Sequence, residues 1–152
     1  MATYQKILDD IKTAMKQKEQ HRLDVLRSLK SAIFEKEVSE RKDGKAELSD
    51  EDVVNVIMKA AKQRKDSIQQ YREAGRDDLA DNEEKELKII ESYLPEMMSE
   101  DDIKQIVQEA IDSTGASGPQ DMGKVMGQVM PKVKGKADGA QVNRIVKELL
   151  NA

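Results

Sequence analysis

An all-α fold follows from three observations. Apolar residues recur at helical spacing along the whole chain, caps and stops punctuate them at helix-length intervals, and no run alternates in the manner of a strand. At 152 residues the chain suits one compact domain, or a domain of about ninety residues with a small appendage. Charged residues make up 37% and hydrophobic ones 38%, which excludes both a membrane-spanning and a fully disordered chain.

The elements can be taken in order. Ile7, Ile11 and Met15 fall four apart, on one helix face. After a polar break at Lys18-Glu-Gln-His21, Leu26, Leu29 and Ile33 mark a second helix. Glu40 to Glu47 holds Gly44 and no apolar stripe, so an exposed connection is expected. Ser49 can then cap a third helix with Asp52 in its first turn, and Leu48 can staple onto Val53. That helix should reach Arg72 or Glu73 and stop at Gly75. A fourth is expected from about Asp77 to Tyr93, closed by Pro95, with Leu87, Ile90 and Leu94 inward.

The same start signal recurs at Met98, Ser99, Asp102 and Ile103, and Ile103, Ile106, Val107 and Ala110 form the stripe, ended by Gly115. Gly118-Pro119 should open a sixth helix carrying Met122, Val125, Met126 and Val129, limited by Pro131. Lys132 to Ala137 connects to a last helix, capped by Asp138, with Val142, Ile145, Val146 and Leu149 buried. The expected architecture is an N-terminal bundle of about four helices over 1–95 and a small three-helix C-terminal domain over 96–152.

The chemistry open to this chain is narrow. With no cysteine, disulfides, thiolate nucleophiles and sulfur-rich zinc sites are excluded. His21 is the only histidine; Asp24 lies on its helical face, but no third ligand is evident, so no metal is expected. The serines lack a Gly-x-Ser-x-Gly context, and Gly118 to Lys124 lacks the spacing of a phosphate-cradling loop. No catalytic set and no cofactor are expected. Met1 to Ile7 shows no basic region leading into an apolar core, and no window approaches the roughly 18 apolar residues of a membrane span. A soluble, cytoplasmic protein without membrane contact is the expectation.

Arg64 stands out because Ile57, Ala60, Ala61, Ile68 and Tyr71 share its helix face. A guanidinium there needs a carboxylate partner, an exposed edge or a ligand, and snorkelling or an ion pair with the acidic next helix is favoured over a functional role. Charge is distributed unevenly around a net of -4. From Asp77 to Glu91 there are seven acidic residues against two lysines. Between Gly118 and Lys147 the balance reverses: Lys124, Lys132, Lys134, Lys136, Arg144 and Lys147 face only Asp121 and Asp138. A basic segment on an acidic chain can neutralise phosphates, with Gly123 and Gly135 admitting a close backbone approach. Tyr4, Phe34, Tyr71 and Tyr93 all lie upstream, so base stacking is not available there.

Asp121-Met-Gly-Lys-Val-Met-Gly127 and Met130-Pro-Lys-Val-Lys-Gly-Lys-Ala-Asp-Gly139 resemble the GatB/YqeY family. So do Lys62-Gln-Arg-Lys-Asp-Ser67, Tyr71-Arg-Glu-Ala-Gly-Arg-Asp-Asp-Leu79 and Tyr93-Leu-Pro-Glu96, and free-standing YqeY-like proteins are the nearest match. The resemblance implies a helical bundle followed by a small helical module similar to the tail of the Asp/Glu-tRNA amidotransferase B subunit, a tail understood to contact tRNA. It makes Lys124, Lys132, Lys134 and Lys136 candidate RNA contacts; Arg144 and Lys147 join them on charge alone. The expected function is therefore a non-catalytic accessory protein that binds tRNA or another structured RNA, not DNA. The alternative is an adaptor to a glutamine-dependent amidotransferase (a carbon-nitrogen ligase) or to translation components. Met97, Met98, Met122, Met126 and Met130 would form its surface unless they pack as core. Any ligase activity would belong to the complex, since this chain holds no residues to perform it.

Overall fold

The computed structural model describes residues 2–151. In order they form α1 (Ala2–Gln17), α2 (Gln20–Ser39), α3 (Asp50–Glu73), α4 (Asp77–Glu91), α5 (Glu100–Thr114), α6 (Met122–Val133) and α7 (Gly139–Asn151). A 3₁₀ turn, Pro119–Asp121, precedes α6, and no strand occurs among the described residues, so the protein is all-α. Contacts divide the chain into two compact units, Met1–Leu94 and Pro95–Ala152, each with its own core.

In the first unit, Ile7 and Ala14 of α1 meet Leu26, Leu29 and Ile33 of α2, Val53, Ile57 and Ala61 of α3, and Ile90 of α4. Met15 does not join them: it is 54% exposed. The inward row of α1 is Ile7, Ile11, Ala14, and Met15 lies one residue, about 100°, beyond it. The connection after α2 turns on Asp43 and Gly44, both at positive φ (54° and 79°), and Lys42 and Lys45 exchange backbone hydrogen bonds across them. Two successive left-handed residues make this a type I′ turn, for which Asp-Gly is a favoured pair.

Ser49 then starts α3 as a reciprocal cap. Its Oγ accepts from the Asp52 backbone N–H at 3.1 Å, and the Asp52 carboxylate accepts from the Ser49 N–H at 2.9 Å. Leu48 and Val53 are both buried beside it. Beyond Ala61 on α3 and before Leu87 on α4 the two helices contribute nothing to this core. At that end Ala80 is fully buried, and ion pairs add to the packing: Arg72 reaches Asp77, Asp81 and Glu84 at 3.1, 3.0 and 2.8 Å, and Arg76 reaches Asp78 at 3.2 Å.

At the other end of α4, Tyr93 is buried and its hydroxyl donates to Asp10 Oδ2 at 2.5 Å. Arg22 lies 3.8 Å from the same oxygen, and Lys6 Nζ sits 5.5 Å from the ring centroid. Burial, and then the Asp10 carboxylate, push the Tyr93 hydroxyl up to about 12.

The second unit packs α5, α6 and α7 around Ile103, Val107, Val125, Val129, Val133, Val142, Ile145 and Val146. Ser99 Oγ caps α5 by accepting from the Asp102 N–H at 3.2 Å, and Asp138 accepts from the Ala140 N–H at 3.1 Å ahead of α7. Three expectations need adjustment here. Pro119 opens a 3₁₀ turn, and α6 proper begins at Met122. Pro131 lies inside α6. Its ring removes the bond that residue 131 would make to the Gly127 carbonyl, and Gly127 is exposed, so water can satisfy that oxygen. On α7, Leu150 is buried, and Leu149 only partly so.

Ser49→Ala removes one half of the reciprocal cap and should lower unfolding free energy by about 1 kcal/mol, read as a drop in urea midpoint at unchanged slope. Tyr93→Phe should cost about 1–2 kcal/mol at neutral pH, since a hydrogen bond to a charged acceptor is lost. The folded hydroxyl titrates above its ordinary value of 10.0, so its contribution is full below pH 10 and is lost as pH rises toward about 12. The wild-type minus Tyr93→Phe difference in stability should therefore shrink over that interval, measured by urea titrations at stepped alkaline pH.

Candidate nucleic-acid interface

The rotation of α6 decides which of its side chains meet solvent. Val125, Val129 and Val133 recur at i, i+4 and i+8 and are fully buried, with Met122, Met126 and Met130 packed beside them. The far side therefore presents Gly123, Lys124, Gly127, Gln128, Pro131 and Lys132, all exposed. Lys124 and Lys132 stand on one edge, eight residues or about 12 Å of helix rise apart. Gln128 lies between them, bonded to Ser113 Oγ of α5 at 3.3 Å.

The chain then turns at Gly135, whose φ of +74° belongs to the left-handed region. Lys134 and Lys136 flank that turn with exposed side chains. The backbone beneath them is pinned: Lys136 N donates to Val133 O at 2.9 Å, and Met98 N donates to Lys136 O at 2.8 Å. Among the described residues, Lys124, Lys132, Lys136 and Lys147 have no carboxylate within ion-pair distance, whereas Lys134 is already engaged by a neighbour. Asp121, one of the two acidic residues in the segment, accepts from the Ser117 backbone N–H at 3.0 Å, and the other, Asp138, is the cap of α7 described above.

Arg144 behaves differently. Its guanidinium bonds Glu148 one turn ahead and Glu100 at the start of α5, each at 3.2 Å. These carboxylates hold it charged, with its pKa above the ordinary value. Lys124, Lys132, Lys134 and Lys136 are thus exposed along α6 and the turn at its end, and Lys147 is exposed on α7. Arg144 serves as a clasp between α7 and α5.

Arg64 also has a structural task. Its Nη1 lies 3.2 Å from Glu83 Oε2 and 3.0 Å from Glu86 Oε2 of α4, and all three side chains are largely shielded. The Glu86 oxygen makes no directed hydrogen bond, so that contact is Coulombic. Of the five methionines weighed as an adaptor surface, Met98, Met122, Met126 and Met130 pack against the second core, and Met97 alone is counted exposed, at 37%. No group of three or more histidine, cysteine, aspartate or glutamate side chains is placed to hold a metal among the described residues, and no helix is long and apolar enough to cross a membrane.

Two features carried no local sequence signal. The Tyr93–Asp10 bond spans 83 residues and the Arg144–Glu100 bond 44, so neither appears as a helical neighbour pair. Only the Arg144–Glu148 spacing of four was readable in advance.

A family model described as Yqey-like protein matches residues 4–150. The chain is 30% identical over 146 residues to "Altered inheritance of mitochondria protein 41, mitochondrial" of Pyrenophora tritici-repentis, covering 94% of this chain and 78% of that protein. The protein of the same name in Saccharomyces cerevisiae is 35% identical over 106 residues, 68% of this chain and 56% of its own length. That of Vanderwaltozyma polyspora is 40% identical over 86 residues, 56% and 44%. These names correct the expected cytoplasmic location, because the relatives carry a mitochondrial designation. Cysteine content does not separate cytoplasm from organelle interior. With nearly its whole length matched, the chain belongs to the YqeY-like family.

Proposed function

We propose that this protein binds structured RNA, with tRNA the leading candidate, through the lysine edge of α6 and the turn that follows it. The observation that carries this reading is the run Lys124, Lys132, Lys134, Lys136, four exposed cations within thirteen residues of a chain whose net charge is -4. The glycines of the same face support it. A Cβ at Gly123 or Gly127 would meet nothing within 4 Å, so packing inside this chain does not require glycine at either place. Each glycine costs the helix about 1 kcal/mol relative to alanine. In return, the helix backbone lies bare on the face beside Lys124, open to close approach by a phosphate backbone.

The recognition expected is of shape and phosphate. The second unit has no aromatic residue on which a base could stack, so unpaired bases gain little there, and a folded RNA presents phosphates in the fixed array that a rigid helix edge can match. The resemblance to the tail of the amidotransferase B subunit adds tRNA as the RNA of choice. The reading gives this chain no catalytic role.

Filter binding of the full chain to unmodified tRNA tests it. Four phosphate contacts should make affinity fall by about a hundredfold between roughly 50 and 200 mM salt. Lys124→Ala and Lys132→Ala should each weaken binding and lower the salt slope by about 1. Arg144→Ala should leave that slope unchanged, because its guanidinium is held by Glu100 and Glu148. Absence of binding at the lowest salt, or a slope indifferent to both lysines, rejects the reading.

A further inference from the structure

The second helix is apolar on two sides. Leu26, Leu29 and Ile33 face the core, yet Phe34 and Val38, one turn apart on the other flank, are 52% and 44% exposed. Phe34 is the only phenylalanine in the chain. Single exposed apolar residues are ordinary, but two of them one turn apart on one flank form a patch that a partner can cover. The row that holds this pair is Asp24, Arg27, Ser31, Phe34, Val38, with spacings of three, four, three and four. That is the seam spacing of paired helices. Arg41 extends the row, its guanidinium 5.9 Å from the Phe34 ring centroid.

We propose that this flank of α2 pairs with the same flank of a second copy of the chain, antiparallel, about a twofold axis between Ala32 and Ile33. The sequence is self-complementary in that register. Ser31 meets Phe34 of the second copy, small against large, and the stem of Arg27 lies along Val38. Asp24 meets Arg41, and Lys30 on the shoulder of the seam falls beside Glu37. Each contact occurs twice, as a twofold interface requires. A parallel alignment would set Arg27 against Arg27 and Phe34 against Phe34, joining like charges and leaving no small residue to receive the ring. Charge supports the antiparallel choice further: among the described residues Lys30, which this register sets beside Glu37, has no carboxylate of its own chain within ion-pair distance. One helix flank buries less than a standard interface, so the association is weak and concentration-dependent. The pairing lies in the first unit and does not rest on the RNA reading.

Sedimentation equilibrium of the full chain from about 1 µM to about 1 mM covers the range where a small interface of this kind associates. The weight-average mass should climb from 17.1 kDa toward twice that value. Phe34→Glu should hold the chain monomeric throughout, while Met15→Glu, equally exposed on α1, should leave association unchanged. Lys30→Glu should weaken association by about tenfold, since it then faces Glu37 of the second copy. Adding Glu37→Lys should restore it. Circular dichroism checks that each variant is folded; should Phe34→Glu unfold, the Lys30 and Glu37 exchange decides alone. A mass fixed at 17.1 kDa across the range overturns the proposal. So does association that survives Phe34→Glu in a folded chain, or a double exchange that is no better than Lys30→Glu alone.

Discussion

Val125, Val129 and Val133 are each fully buried, and burying a valine is worth roughly 1.5–3 kcal/mol relative to leaving it in water. Turning α6 by the 100° of one residue would pull part of this row into solvent, a loss comparable to much of the stability available to so small a unit. The rotation of the helix is therefore fixed by apolar burial alone. The outer side follows from that constraint: Lys124 and Lys132 share a flank because each precedes a buried valine by one residue, about 100° of turn, and Gly123 and Gly127 are bare because they lie opposite the valine row. No electrostatic interaction is needed to place the cations. They are free to serve another purpose for that reason.

Most arginines of the protein are paired, Arg27 being the exception among the described residues. Arg22, Arg41, Arg64, Arg72, Arg76 and Arg144 all stand in ion pairs, several with more than one carboxylate. The guanidinium fork can hold several carboxylates at once: Arg72 of α3 takes Asp77, Asp81 and Glu84 of α4, and Arg144 takes Glu100 of α5 and Glu148 of α7. The lysines of α6 and its end are instead compact, strongly hydrated charges on flexible stems, suited to meeting phosphates whose positions the chain does not set. Arg22, Arg64, Arg72 and Arg144 join elements, whereas Lys124, Lys132 and Lys136 face outward. A charge count along the sequence sums the two and so overstates the cationic surface by including Arg144.

This explains how much of the molecule was legible beforehand. Helix existence was readable because it depends on local terms: apolar spacing, the Ser49 and Ser99 caps, and the left-handed glycines that stop the chain. The seven helices and the all-α class follow from these without tertiary information. Errors arose where a tertiary contact chooses between neighbours. Ala14 rather than Met15, and Leu150 rather than Leu149, face inward because an adjacent helix selects one of two residues 100° apart, and the pattern alone tolerates either. Of the candidate residues, the four lysines of the α6 segment needed only local rotation to be placed. Arg64 was readable as a paired guanidinium since its helix face is apolar and the next helix is acidic. The Tyr93–Asp10 and Arg144–Glu100 bonds could not be read, because nothing within helical reach of either partner signals the other.

The second unit, built on valines with no aromatic residue, lies near the size at which a single core is barely sufficient. Its additional ties converge where the cations are. The Met98 N–H holds the Lys136 carbonyl, the Lys136 N–H holds Val133, and Gly135 supplies the left-handed turn that lets both bonds form. Side chains at 134 and 136 take no part in either backbone bond. Geometry at this turn is thus set by the main chain and by glycine, and charge by the lysine side chains, so the two can be altered separately. For the proposed RNA site, loss of binding on replacing Lys136 reports charge, whereas loss on replacing Gly135 reports the shape of the turn. A site whose position and charge rest on different atoms can vary its charge without endangering the small fold that carries it.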